Sequence, residues 1–218
     1  MLVASGEPDP SDDRWLRGAD LVVAVDAGAE WLDERGIRPD ALVGDLDSVA
    51  PELVSRLEAD GVAIERHPTA KDSSDTELAV AYGRRRGATE IDVIGAFGGQ
   101  RLDHLLANLL LLSGPAGDGL ALVRAGSRIT SLRGGEARTV DGDVGGVVSL
   151  FPVGGDAIGV TTTGLQFPLR DETLRTGSSR GLSNVIVAKP ASASIGRGAL
   201  LVYEGPAGEP PAKGDGTR

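Results

Sequence analysis

The chain has 218 residues, 40% of them hydrophobic and 3% aromatic, with no cysteine; this suffices for one large domain or two small ones, and it excludes a disulfide framework, a cysteine-based zinc site and a cysteine nucleophile. The formal charge of −10 argues against a nucleic-acid partner and requires any phosphate substrate to be met by local cations, helix N-termini or a metal. The start, MLVASGEPDP, has neither the basic region nor the apolar run of a signal peptide. The longest apolar block, Leu105 to Leu112, falls far short of the roughly 20 residues of a membrane span, so a cytoplasmic protein with no membrane partner is expected.

The first half alternates short apolar runs with helical patterns. Residues 21–25 (LVVAV) read as a buried strand and 27–36 as a helix ending on glycine. ALVGD is a strand, and residues 51–61 form a helix with Pro51 suited to its first turn. VAIER, a helix over 74–87, the strand IDVIGA and an apolar helix over 101–114 follow. This alternation implies a Rossmann-like α/β domain with a parallel sheet, over residues 1–116. After Gly117 the runs are short, rich in β-branched residues and separated by glycines: LALVRA, RITSLRG, ARTV, GVVSLFPV, AIGVTTTG, SNVIVAK and ALLVYEG. They predict an all-β domain, an antiparallel β-sandwich, over 117–205. Residues 206–218 have too little apolar surface to order themselves and are expected to form a flexible tail.

Four polar clusters follow predicted strands, where an open α/β sheet holds its ligand crevice. Asp26 ends the first strand; alone, it could equally be a helix cap. Asp45 and Asp47 stand two apart and would point the same way on an extended segment. Like charges so close repel unless a cation lies between them, and Mg²⁺ bound by carboxylates and phosphates is the usual nucleotide arrangement; an acidic turn with Ser48 as a cap is the alternative. In Lys71–Glu77, Ser74 and Glu77 form a capping box, which leaves Lys71, Asp72 and Asp75 unexplained. Lys71 can bind phosphate, and Asp75 could complete a metal site with Asp45 and Asp47. The fourth cluster runs from Gly95 through Gly98, Gly99, Arg101, Asp103 and His104 to Asn108. Its glycines allow close approach to a ligand, and Arg101, His104 and Asn108 share one helix face. Neither the P-loop pattern nor the dinucleotide fingerprint occurs, so a mononucleotide held by another phosphate device is expected.

Taken together, Asp26-Ala27-Gly28, Gly44 to Ser48, Lys71 to Asp75, Gly98 to Asn108, Thr163 to Leu169 and Gly181 to Asn184 resemble, in order and spacing, the blocks of the thiamine pyrophosphokinase family. The resemblance covers nearly the whole chain to about Tyr203. It implies transfer of diphosphate from ATP to the hydroxyethyl oxygen of thiamine, releasing AMP. It further implies Mg²⁺ on Asp45, Asp47 and Asp75, and phosphate contacts from Lys71 and Arg101. Asp26, Gly98, Gly99, His104 and Asn108 would line the ATP pocket, and either Asp72 or Asp103 would accept the hydroxyl proton. Phe167, Ser183 and Asn184 would bind thiamine in the β domain, and the enzyme would be a homodimer with thiamine between the α/β domain of one chain and the β domain of its partner. The sequence departs from the pattern at Gln100, an insertion before Arg101, and at Phe167, where tyrosine is usual; its C-terminal half has no tryptophan. The alternatives are a pyrophosphokinase acting on a hydroxymethyl-pterin or other alcohol, and a non-catalytic nucleotide-binding module.

Overall fold

Residues 2–3, 23–25 and 41–44 are apolar runs in which every residue is buried, as strands covered on both faces must be. In the computed structural model, which describes residues 1–98 and 101–207, they form the centre of a parallel sheet: Leu2–Val3 (β1), Val23–Val25 (β2) and Ala41–Gly44 (β3), followed by Ala63–Arg66 (β4), Ile91–Ile94 (β5) and Leu120–Arg124 (β6). The strand order is β4-β3-β2-β1-β5-β6, all parallel, with Ser127–Arg133 (β7) antiparallel to β6. The chain thus steps outward from β1 to β4 and returns to the other side of β1 for β5. That reversal is the topological switch, and a ligand crevice opens beside it at the carboxyl ends of the strands.

Among the described residues five α-helices accompany these strands: Asp13–Leu16 (α1), Gly28–Asp33 (α2), Pro51–Ala59 (α3), Asp75–Arg85 (α4) and Leu102–Ser113 (α5). Pro51 occupies the first turn of α3, where its missing N–H costs nothing. Ser74 caps α4, its Oγ accepting the Glu77 N–H at 3.2 Å. Leu32, Leu42, Leu53 and Leu57 share one buried cluster with Val3 and Ala24, so α2 and α3 bury their apolar faces against the sheet. The apolar helix α5 differs: Asn108 and Leu112 are buried, whereas Leu102, Leu106 and Leu110 are 72%, 60% and 62% exposed.

The compact units are Met1–Thr130 and the residues from Ser131 onward. The change of rhythm after Gly117 therefore precedes the end of the first unit. β6 pairs in parallel with β5, and its first four residues are all buried; a short apolar run does not by itself declare its direction. The second unit contains Ala137–Val140 (β8), Gly146–Pro152 (β9), Ala157–Thr163 (β10), Glu172–Leu174 (β11), Asn184–Val185 (β12), Ala191–Ser194 (β13) and Ala199–Ala207 (β14). β12-β9-β14 and β11-β10-β13-β8 are two antiparallel sets. Val148, Leu150, Leu200 and Val202 of the first share one core with Val140, Val160, Leu174 and Ala193 of the second. Apolar side chains from both sets in one buried cluster define a β-sandwich.

Four elements escape the sequence reading. β1 has two residues, α1 has four, β11 is largely polar and β13 reads Ala-Ser-Ala-Ser; none has the length or bulk for a periodic signal. Of SNVIVAK, only Asn184 and Val185 are in a strand, while Ile186 makes an isolated bridge to Leu165. Pro206 and Ala207, expected in the tail, complete β14; the rest of the expected tail lies outside the described residues. Among the described residues no helix is long and apolar enough to cross a membrane.

Candidate active site

At the carboxyl ends of β1, β2, β3 and β5 lies a crevice of about 520 Å³, with the N-termini of α4 and α5 at its rim. It gathers Asp26, Asp45, Asp47, Asp75, Gly98, Arg101, His104 and Asn108 from four stretches of the sequence. Lys71 reaches the same group: its ammonium contacts Asp45 Oδ2 at 3.2 Å and Asp75 Oδ1 at 2.8 Å. Asp72 and Asp103 are exposed and lie outside the lining, and Gly99 lies outside the described residues.

The acidic pair is held differently from the expected extended segment. Leu46 has φ +64°, so the chain turns between the two carboxylates, and the Asp47 N–H donates to Asp45 Oδ1 at 3.3 Å. The proximity of Asp45 pushes the Asp47 carboxyl above its ordinary range. Asp45 itself is partly buried, which opposes ionisation, yet the Asp47 N–H and the Lys71 ammonium hold it below that range. Burial opposes the charge on Lys71, but Asp75 and Asp45 together raise its pKa. Asp26 is 8% exposed. Burial pushes its carboxyl up to about 6, opposed by the Leu46 N–H and reinforced by Asp75 and Asp45.

Four carboxylates face the Lys71 ammonium and the Arg101 guanidinium, which leaves the crevice an excess of negative charge. Among the described residues no group of three or more acidic or histidine side chains is arranged to hold a metal. Mg²⁺ does not require such a cage, because one or two carboxylates suffice when phosphates and water complete the shell. Asp45 and Asp47, hard oxygen donors whose charges repel each other across one turn, fit that role, and Asp75 lines the same crevice.

At the start of α5, the preceding Arg101 donates to Asp103 through Nε at 2.9 Å and a terminal nitrogen at 2.6 Å. This bidentate bond holds the Asp103 carboxyl down to about 2, which makes it a weak proton acceptor. Asn108 is buried and donates to the Ala96 carbonyl at 3.0 Å, tying α5 to the chain leaving β5.

The glycines of this loop have a structural cause. The Gly6 N–H donates to Gly95 O, and the Glu7 N–H to Phe97 O, both at 2.9 Å. A Cβ at Gly6 would lie 2.3 Å from Gly95 O, and one at Gly95 would lie 2.3 Å from Ala4 O. Residues 4–7 and 95–98 are thus two backbones pressed together beside the switch point. Ala4, Ser5 and Gly6 consequently line the crevice. The sequence reading missed them because the two-residue strand before them carries no periodic pattern.

In the second unit a smaller cavity of about 170 Å³ is bordered by Leu165, Phe167, Leu169, Arg180, Leu182 and Asn184. Asn184 is occupied by its own chain: its Oδ1 accepts the Phe167 N–H at 3.0 Å and its Nδ2 donates to the Phe167 carbonyl at 2.7 Å. Phe167 stays 59% exposed. Ser183 has φ +58° and its N–H donates to Ser149 Oγ at 2.9 Å; it does not border the cavity.

The sequence pattern described as the thiamin pyrophosphokinase catalytic domain matches residues 13–123, and that described as the thiamin pyrophosphokinase vitamin B1 binding domain matches residues 138–200. A thiamine pyrophosphokinase of Bacillus subtilis is 27% identical over 184 residues, covering 84% of this chain and 86% of that protein. The crystal structure of the thiamine pyrophosphokinase from Bacillus subtilis superposes with a TM-score of 0.82 at 26% identity, covering 94% of this chain and 97% of that one. For that from Geobacillus thermodenitrificans the TM-score is 0.80 at 30% identity, covering 94% and 95%.

The raised Asp26 carboxyl has a consequence for stability. An unfolded aspartate loses its proton near pH 4, whereas the folded chain keeps this one up to about pH 6. Between these values the folded state binds more protons, so the contribution favours folding in acid and is lost as pH rises through about 6. Asp26→Asn carries no such charge. Its melting temperature, measured in EDTA, is expected to gain on that of the parent as pH goes from about 5 to about 8. A difference that does not change over that range would contradict the assignment.

Proposed function

The chain belongs to the thiamin pyrophosphokinase family, and on that footing we propose that it transfers the diphosphoryl group of ATP to the hydroxyethyl oxygen of thiamine, releasing AMP. The observation that carries this reading is the crevice in the unit matched by the catalytic pattern, where Asp26, Asp45, Asp47 and Asp75 meet Lys71. Mg²⁺ held by Asp45 and Asp47, with Asp75, would neutralise the diphosphate oxygens in flight. Lys71 adds a fixed positive charge between Asp45 and Asp75. Arg101, whose present partner Asp103 is itself exposed, can exchange that carboxylate for a phosphate, since both accept a guanidinium fork. Phosphoryl chemistry of this kind asks the protein for positioning and charge rather than for a covalent step.

Thiamine over a pterin or another alcohol is supported by the vitamin B1 binding pattern over 138–200 and by the cavity beside Phe167. In this reading Phe167 supplies an aromatic face, and Asn184 acts through it by clamping both its backbone groups. A non-catalytic module is disfavoured because the carboxylates expected on the metal, Asp45, Asp47 and Asp75, all line the crevice. The exposed Leu102, Leu106 and Leu110 on α5 support a homodimer, since a contiguous apolar face is where a second copy would dock.

Three outcomes test these statements. The purified protein with thiamine and MgATP is expected to give AMP in step with thiamine diphosphate, and Asp45→Asn or Asp47→Asn to lower turnover by about 100-fold or more; stoichiometric ADP would exclude the reaction. Asn184→Ala is expected to raise the thiamine KM by about tenfold while the ATP KM barely moves; a fall in Tm with both constants unchanged would leave the residue a turn-former only. Leu106→Glu is expected to turn a dimer into a monomer in sedimentation equilibrium, and an unchanged mass would remove α5 from the interface.

A further inference from the structure

Asp26 lines the crevice, where its carboxyl also meets Asp75, and it bonds in addition to the backbone of the neighbouring strand and turn. Its Oδ1 accepts the Leu46 N–H at 3.1 Å, a buried bond across 20 residues of sequence. Its own N–H donates to the Val43 carbonyl at 3.1 Å. A Cβ at Gly44 would lie 1.8 Å from Asp26 Oδ1 and 2.5 Å from its Cγ, so the carboxyl fills the space that a side chain at 44 would need. The glycine of the Gly-Asp-Leu-Asp segment is therefore accounted for by Asp26 and not by a ligand.

The segment it holds is a costly one. Asp26, Gly44 and Leu46 have φ of +44°, +152° and +64°, and left-handed conformations at residues other than glycine persist where the surroundings over-determine them. Leu46 is pinned from both ends: its side chain is 6% exposed and its N–H is taken by Asp26. Asp45 and Asp47 are its immediate neighbours, so fixing the peptide at Leu46 fixes the backbone turn from which both carboxylates project.

We propose that Asp26 is a positioning residue for the Asp45–Asp47 turn, acting through the Leu46 N–H rather than on metal or phosphate. The proposal rests on the diphosphotransferase reading for its purpose and on the hydrogen bond for its substance. Asn keeps an oxygen for the Leu46 N–H and the same shape, whereas Ala keeps neither.

Two measurements test it. The first needs no ligand. The Leu46 amide is expected to keep its protection from hydrogen exchange in Asp26→Asn and to lose about tenfold or more in Asp26→Ala. Equal protection in parent and Ala variant overturns the proposal whatever the substrate. The second is titration calorimetry of magnesium with a non-hydrolysable ATP analogue. Affinity is expected within about threefold of the parent for Asn and about 10-fold to 100-fold weaker for Ala. Gly44→Ala, which drives the Asp26 carboxyl from its place, is expected to resemble Asp26→Ala. If Asn is as weak as Ala while Leu46 stays protected in Asn, Asp26 is a direct ligand and the proposal fails. A parent that binds no magnesium nucleotide overturns the functional reading and, with it, the purpose assigned to Asp26.

Discussion

The site is organised by one electrostatic constraint: the ends of two parallel strands and the start of one helix bring four carboxylates into a single crevice, and like charges in a partly desolvated space repel strongly. The protein answers it locally. Lys71 stands between Asp45 and Asp75, backbone N–H groups satisfy Asp26 and Asp45, and burial keeps Asp26 closer to its neutral form. What these devices leave is a surplus of negative charge in the crevice. In the proposed reaction a cation arriving with the substrate would offset that surplus, and a nucleotide carrying its cation is the form the crevice suits.

The second constraint is topological. The reversal of strand order between β1 and β5 opens the crevice, but it also forces residues 4–7 and 95–98 into backbone contact. Gly6 and Gly95 exist for that contact. Asn108 then ties α5 to Ala96, so the helix carrying Arg101 and His104 is referenced to the same junction. In the second unit the same economy appears in Asn184, which spends both ends of its amide on Phe167. In each case a polar residue near a cavity works on the backbone beside it, as residues that support a site commonly do.

Much of this was legible in the sequence. Asp26, Asp45, Asp47 and Asp75 could be found because each follows a strand of recognisable length, and strand ends converge in an open sheet. Arg101, His104 and Asn108 could be set on one face because helical spacing is rigid. Other features were hidden for physical reasons. Leu2–Val3 is too short for any period, so Ser5 and Gly6 went unseen although β1 is the central strand. Spacing does not tell which side of a capping segment faces a crevice, hence Asp72 and Asp103 are exposed outside it. The turn at Leu46 depends on a carboxylate 20 residues away, and no local pattern encodes such a bond. Gly95, read as making room for a ligand, also makes room for the backbone of Ala4.

The account stands on the transfer of a diphosphoryl group. ATP labelled in its β-phosphate, incubated with the purified protein, magnesium and thiamine, follows that group directly. The label is expected wholly in the thiamine product, with the released nucleotide unlabelled AMP. Label retained in a released nucleoside diphosphate would mean that a single phosphoryl group had moved, and would contradict the account.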